Sequence, residues 1–180
     1  ITDEDFSVAG DDILDMLDYF PQIINMLEKR FKNDTSFLKT HINDVSECII
    51  SSKNNDIIID FTRRRIDNLL NDMETLIPML AGRKIKALNF KGNEIYDNDL
   101  KYIIESVKFL LKNNINQSDG LTIILSHTRI KKNIEAIQEL LTNVRFIDIS
   151  LTEMKDLNLS WTENELQRLI FVPSFGKRKY

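Results

Sequence analysis

Few side chains in this chain are of the types that perform catalysis. Its 180 residues include two histidines and one cysteine. His127 lies at the end of a predicted strand, and Asp148 belongs to the next predicted strand, so the two can be neighbours. An isolated His–Asp pair without a nucleophile is more typical of an ion pair or a binding contact than of an active site. The histidines therefore do not indicate a catalytic site.

Motifs with a defined chemistry are also missing from the sequence. It contains no phosphate-binding glycine loop, no HExxH and no GxSxG. Cys48 lacks the local signature of a nucleophile and is interpreted as a small core residue. His41 has no partner at metal-ligand spacing. We therefore expect no enzymatic activity, no metal site and no cofactor.

Composition and charge restrict the class of protein. A hydrophobic content of 42% and a charged content of 29% are typical of a globular chain. A net charge of -4 argues against nucleic-acid binding, although residues 63–65 and 177–179 are short basic runs. A single cysteine favours a reducing compartment. No apolar run approaches the roughly 18 residues of a membrane span. We expect a cytoplasmic protein that binds no membrane.

One eleven-residue pattern recurs along the chain, and the strands that it predicts include the positions of His127 and Asp148. In residues 85–95, apolar residues occupy positions one, four, six and eleven, and Asn93 occupies position nine. Positions four and six alternate with polar neighbours, which predicts one face of a short strand. A carboxamide at position nine can satisfy backbone groups that the next strand leaves open. The same register returns in residues 56–66, 120–130 and 144–154.

Each of these segments is followed by a helical pattern. Amphipathic spacing predicts helices that begin near Leu69, Leu100 and Ile134. Thr162 and Glu165 have the spacing of a capping box, which predicts a short helix that continues through Ile170. The region from residue 56 onward therefore alternates strands with helices.

The preceding residues are predicted to form a separate cap. Residues 1–55 are interpreted as a helical cap with at most one degenerate repeat, because the first unit of a repeat array needs a cover for its core. A helix from about residue 44 to residue 51 would bury Val45, Cys48 and Ile49. Residues 56–172 are assigned to the repeats and a C-terminal cap, and residues 173–180 to a tail. Because no initiator methionine is present, we expect a fragment or a processed chain.

With this recurring register, the sequence resembles a leucine-rich-repeat protein of the ribonuclease-inhibitor-like kind. The resemblance covers about residues 56–170, with Arg64, Thr128 and Thr152 where asparagine is usual. It implies an α/β fold: a short solenoid with parallel strands on its concave side and helices on its convex side. A compact, doubly wound α/β domain is the alternative, but no glycine-rich turn between strand and helix is present.

The resemblance also implies a function. Side chains that flank the buried strand positions form rows on the concave face, and apolar groups ringed by charges are typical of a binding patch. The predicted partner-binding residues are Ile58, Asp60, Arg63, Asn89, Lys91, Ile124, His127, Phe146, Asp148 and Leu151. We expect a protein that is monomeric by itself and binds another protein without catalysis. It is either a bacterial effector that acts in a host cytosol or an inhibitor or adaptor within its own organism. The alternative is a regulatory or enzymatic α/β domain.

Overall fold

The computed structural model describes residues 44–51, 57–80, 83–114, 120–155 and 160–173. These residues form a six-stranded sheet, with four α-helices after the second strand. The strands are β1 (Ile49–Ser51), β2 (Ile57–Asp60), β3 (Ile85–Asn89), β4 (Thr122–Ile124), β5 (Phe146–Asp148) and β6 (Leu169–Ile170). The helices are α1 (Leu69–Met79), α2 (Leu100–Asn113), α3 (Ile134–Leu141) and α4 (Glu163–Arg168).

The strands lie in the sheet in the same order as in the chain. β1 pairs with β2 in the antiparallel direction, whereas β2 to β6 are parallel. Parallel neighbours need a crossover, which a helix provides at each step. Consecutive helices pack against one another from α1 to α4. The predicted α/β class and its alternation of strands and helices are confirmed.

The core lies between the sheet and these helices. The fourth position of each unit forms one row across the parallel strands: Ile59, Leu88, Ile123, Ile147 and Leu169. These side chains are buried and belong to a single cluster with the apolar faces of the helices. Phe61 and Phe90, at the sixth position, stack with their ring centroids 5.3 Å apart. Burial of a large apolar side chain contributes about 1.5–3 kcal/mol, so this layer is the main source of stability.

Local signals set the helix ends. Asn133 accepts a hydrogen bond from Ala136 N at the start of α3. The predicted capping box of α4 is confirmed: Glu165 N donates to Thr162 Oγ1 at 3.2 Å, and Thr162 N donates to Glu165 Oε1 at 2.8 Å. Each bond satisfies a backbone or side-chain group that the first helical turn leaves open.

The segment before β2 differs from its prediction. Ile49–Ser51 form the strand β1 and not the end of a helix, because residues 49–51 pair in the antiparallel direction with β2. Residues 44–46 are helical. The predicted burial of Val45, Cys48 and Ile49 is confirmed. Hydrogen bonding to the sheet therefore overrides the helical spacing of this short segment.

The last predicted helix is also shorter than expected. α4 ends at Arg168, and Leu169–Ile170 form β6 beside β5. Most of the predicted N-terminal cap (residues 1–55) and most of the predicted tail (residues 173–180) lie outside the described residues, since residues 1–43 and 174–180 are not described. In the part of the chain that is described, no helix has the length and apolarity needed to cross a membrane.

Candidate functional site

The third and fifth positions of the parallel strands form what we call the open face of the sheet. Successive strand side chains alternate between the two sides, so these positions lie opposite the helices. The third-position row consists of Ile58, Ala87, Thr122 and Phe146. The fifth-position row consists of Asp60, Asn89, Ile124, Asp148 and Ile170. The predicted register of both rows from β2 to β5 is confirmed.

All ten residues predicted to bind a partner have solvent access. Those on the strands are half-buried: Ile58, Asp60, Asn89, Ile124, Phe146 and Asp148. Those in the turns after the strands are exposed: Arg63, Lys91, His127 and Leu151. The two groups lie on neighbouring strands and turns, so they form one surface.

Apolar and charged groups alternate on the open face. The guanidinium of Arg145 lies over the ring of Phe146, 5.2 Å from its centroid. Ile170, which the prediction did not include, continues the fifth-position row and is 46% exposed. It was missed because β6 was predicted to be helix. Exposed aliphatic and aromatic groups with an arginine beside them are typical of protein-binding hot spots.

Three fifth-position side chains also stabilise the turns. Asp60, Asn89 and Asp148 each accept a hydrogen bond from the backbone N–H two residues later, at 3.0, 3.0 and 2.9 Å. Such bonds order the chain as it leaves a strand. The second polar atom of each of these side chains makes no hydrogen bond with a described residue. Their role in the fold can be separated from any role in binding.

A left-handed backbone recurs at the eighth position. Gly92 has a φ of 72°, His127 of 58° and Leu151 of 57°. Glycine adopts this conformation freely, whereas an L side chain costs about 1–2 kcal/mol there. His127 and Leu151 therefore combine backbone strain with exposed side chains. Residues held in this way cluster at functional sites.

Backbone hydrogen bonds between turns impose this conformation. Gly92 N donates to Ser126 O at 2.9 Å, and His127 N donates to Ser150 O at 3.1 Å. Leu151 N donates to Val172 O at 2.7 Å. The turns are thus hydrogen-bonded to one another beyond the ends of the strands. These hydrogen bonds fix the backbone conformation of residues 92, 127 and 151, whatever the residue type.

The ninth position differs between units. Asn93 Nδ2 donates to Phe61 O at 2.9 Å and to Arg64 O at 3.0 Å. The Asn93 carboxamide thus satisfies backbone groups, as predicted, but the prediction that these groups belong to the next strand is wrong, because both carbonyls lie in the preceding turn. Thr128 and Thr152 instead donate to the carbonyls three residues before them, at 2.7 and 2.9 Å.

The first unit has an ion pair at this position. Arg64 donates to Asp72 through Nε and Nη2, at 2.9 and 2.7 Å. The side chain of Asp72 is fully buried and that of Arg64 is 20% exposed. The hydrogen bond from Arg64 to Asp72 raises the pKa of Arg64. The guanidinium of Arg64 therefore has a structural role as the partner of Asp72.

A groove of about 610 Å³ lies beside this turn, between residues 62–67 and the segment after β3. Of the arginines that line it, Arg64 is paired with Asp72 and Arg65 lies 2.7 Å from Asp67. Arg63 is exposed and makes no ion pair with a described residue. Two of the three arginines of the groove are therefore already neutralised by carboxylates of the protein.

No catalytic pair forms among the described residues. His127 and Asp148 share neither a hydrogen bond nor an ion pair, and the carboxylate of Asp148 accepts from Ser150 N instead. Burial raises the pKa of the Cys48 thiol from its ordinary 9.0 to about 11, which makes it a poor nucleophile. In the described ranges, no group of three or more histidine, cysteine or acidic side chains is placed to hold a metal ion.

One feature was missed because it becomes visible only once the strand ends are known. The segments between the parallel strands and the α-helices that follow them, residues 61–68, 90–99, 125–133 and 149–155, contain more basic than acidic residues. Their basic residues are Arg63, Arg64, Arg65, Lys91, Arg129, Lys131, Lys132 and Lys155, and their acidic residues are Asp67, Glu94, Asp97, Asp99 and Glu153. Eight positive and five negative charges make +3, whereas the whole chain has a net charge of -4. The charge is thus concentrated at one edge of the sheet.

Comparison of the chain with protein-family models, with curated proteins and with solved structures finds no match.

Proposed function

We propose that this protein is a non-catalytic binding module that holds another protein on the open face of its sheet. The observation that carries the proposal is the exposure of large apolar side chains away from the core. Ile58, Ile124 and Phe146 are only half-buried there, and Ile170 is 46% exposed. Apolar groups gathered on one surface are unfavourable in water and mark interaction sites.

We further propose that the scaffold is a short leucine-rich-repeat solenoid with the open face on its concave side. The strict sequential order of the parallel strands supports this, because each unit adds one strand and one helix to its predecessor. The hydrogen bonds of Asn93 to the preceding unit support it as well, since they join neighbouring repeats. Small-angle scattering distinguishes an arc-shaped solenoid from the alternative, a compact α/β regulatory or enzymatic domain.

The proposed setting is the cytoplasm, where a free thiol such as Cys48 stays reduced. The partner belongs to a host cell if the protein is a bacterial effector. It belongs to the same organism if the protein is an inhibitor or adaptor. Affinity capture from each source, with mass spectrometry of the bound protein, separates the two.

The binding surface is tested with two charged variants, Ile124→Asp and Phe146→Asp. Each places a carboxylate within the apolar part of the open face, so we expect partner affinity to fall at least about tenfold. Leu166→Asp is the control, because Leu166 is 40% exposed but lies on α4 and not on the open face. Circular dichroism verifies that all three variants fold. If both open-face variants retain wild-type affinity, the assignment of this face is wrong.

A further inference from the structure

An exposed apolar cluster lies at the turn after β5. Leu151 is 38% exposed, and its backbone N–H donates to Val172 O, which brings the two residues together. Val172 is 51% exposed, and Ile170 on β6 is 46% exposed. These three aliphatic side chains therefore form a patch, which we call the β5–β6 patch, where the open face meets the turns.

The backbone of this turn is unfavourable for leucine. The left-handed φ of 57° strains any L residue, and 38% of the Leu151 surface remains exposed to solvent. Gly92 occupies the equivalent position after β3 and makes the equivalent hydrogen bond to the next turn. Since glycine supports the same backbone without strain, the backbone does not require leucine here. A contact of the exposed part of the Leu151 side chain with a partner would account for it.

The basic loops lie along the same edge of the sheet. Glu153 is the acidic group nearest to two of their cations, at 3.7 Å from Arg129 and 3.8 Å from Lys131. All three side chains are substantially exposed, and ion pairs of this kind are screened by water and salt. Glu153 therefore neutralises Arg129 and Lys131 only weakly. The carboxylate of Asp97 also lies near this loop, but it accepts hydrogen bonds from the backbone N–H groups of Lys131, Lys132 and Asn133.

The outer edge of β6 is poorly suited to pair with a further strand. Leu169 N already donates to Leu166 O at the end of α4. Pro173 stands at the eighth position of this unit and has no N–H, whereas the preceding turns donate from that position to the next. A proline at a strand edge opposes pairing. A partner is therefore expected on the face and turns, and not as an added strand.

We propose that the β5–β6 patch and the basic loops together dock an acidic, amphipathic protein segment. Its apolar side chains contact Leu151 and Val172, and its carboxylates lie against Arg129, Lys131 and Lys132. The proposal rests on the protein-binding function and names the chemistry of the partner. A protein segment is favoured over single-stranded nucleic acid because the patch is aliphatic, whereas bases stack on aromatic side chains.

The direct test uses short fluorescein-labelled peptides in a fluorescence anisotropy titration of the full chain. A peptide that alternates glutamate with leucine is expected to bind saturably and to weaken as salt is raised. Peptides with lysine for glutamate, or serine for leucine, are expected to bind at least about tenfold more weakly. Labelled oligothymidylate is the nucleic-acid comparison. Absence of binding by the acidic peptide, or tighter binding of the lysine peptide or the oligonucleotide, overturns the proposal.

A matched pair of triple variants isolates the charge contribution. Arg129→Gln, Lys131→Gln and Lys132→Gln together are expected to weaken the acidic peptide about tenfold. Lys84→Gln, Lys86→Gln and Lys112→Gln remove the same charge from exposed residues outside these loops and are expected to leave affinity within about twofold. Equal losses in the two triple variants would mean that only net charge matters, and the docking site would be rejected.

Leu151→Gly isolates the apolar contribution. It is expected to weaken the acidic peptide about tenfold while raising Tm by about 3 °C, because the strain is relieved. If Leu151 had only a structural role, its replacement by glycine would not lower affinity while raising stability. Unchanged affinity of Leu151→Gly therefore refutes the proposal. If Ile124→Asp and Phe146→Asp abolish partner capture but Leu151→Gly and the loop variants do not, the protein-binding function stands and this docking site fails. If only the latter variants weaken capture, the open face is wrong and the docking site stands.

Discussion

The turn after β3 has Gly92 at its left-handed position and Asn93 next to it, whereas the turn after β5 has Leu151 and Thr152 at these positions. Asn93 donates to two carbonyls of the preceding turn, and Thr152 donates only within its own. We call the turns after β2 and β3 the early turns, and those after β4 and β5 the late turns.

The difference separates stability from exposure. Early turns are linked to distant groups by the ion pair of Arg64 with Asp72 and by the amide of Asn93. The ninth-position side chains of the late turns make only local hydrogen bonds, and the eighth positions hold His127 and Leu151 in strained conformations with exposed side chains. The ninth-position side chains of the early turns therefore join distant parts of the fold, whereas the late turns expose His127 and Leu151 at some cost in stability.

The largest expected effect is the loss of the buried ion pair. Asp72→Ala leaves the mostly buried charge of Arg64 without its partner, so the free energy of unfolding should fall by about 3 kcal/mol. Asp67→Ala breaks the exposed pair with Arg65 and should cost less than about 0.5 kcal/mol. Urea denaturation of both variants measures the difference. Similar losses would show that burial does not distinguish these two pairs.

The ninth position gives the next largest effect. Asn93→Ala removes two hydrogen bonds to the preceding turn and should lower the free energy of unfolding by about 2 kcal/mol. Thr152→Val keeps the shape of the side chain and removes two local hydrogen bonds, a short one to Ile149 O and a long one from Met154 N, which should cost about 1 kcal/mol. Chemical denaturation measures both losses. If Thr152→Val lowers the free energy of unfolding more than Asn93→Ala does, the ninth position of the late turn contributes more to stability than that of the early turn, and the comparison fails.

The thiol of Cys48 should make the free energy of unfolding depend on pH. Its folded pKa of about 11 lies above the ordinary 9.0, mainly because of burial, so the folded state favours the protonated thiol. This contribution is complete below about pH 9 and is lost as pH rises toward 11, by up to about 2 kcal/mol. Comparison of wild type with Cys48→Ala between these pH values isolates it from other titrating groups. Parallel losses in the two proteins would contradict the prediction.

The smallest effects come from exchange of residues at the eighth position. Leu151→Gly should stabilise the protein by about 1 kcal/mol, and Gly92→Leu should destabilise it by about the same amount. A Cβ atom at Gly92 would meet no atom within 4 Å, so its cost is confined to the backbone. Thermal unfolding of both variants measures the two shifts. A destabilised Leu151→Gly would mean that the leucine side chain supports the fold.

The parts of the fold that could be predicted are those with many repeated apolar positions. Leu88 and Ile123 lie in the predicted row because burial on one side of a sheet imposes a period of two on each strand. β1 and β6 could not be predicted, since they are as short as β4 and β5 but lie outside the recurring eleven-residue register that identified those strands. Their conformation depends on pairing with β2 and β5.

The candidate site could be predicted only as a set of positions. The rows that contain Asp60, Ile124 and Phe146 follow from the register, and their accessibility agrees with the prediction. The hydrogen bond of Asp60 to its turn and the strain at Leu151 are not readable from residue type. The charge of the basic loops requires knowledge of where each strand ends.

The amino-acid sequence by itself determined the α/β alternation, the inward-facing positions such as Leu88 and Phe90, and the register that relates one unit to the next. Each of these depends on the spacing of apolar residues along the chain, which burial imposes locally. Only the tertiary structure decided the addition of β1 and β6, the left-handed turns and the meeting of Leu151 with Val172. These features depend on backbone hydrogen bonds between segments that are distant in the chain, to which residue type contributes little.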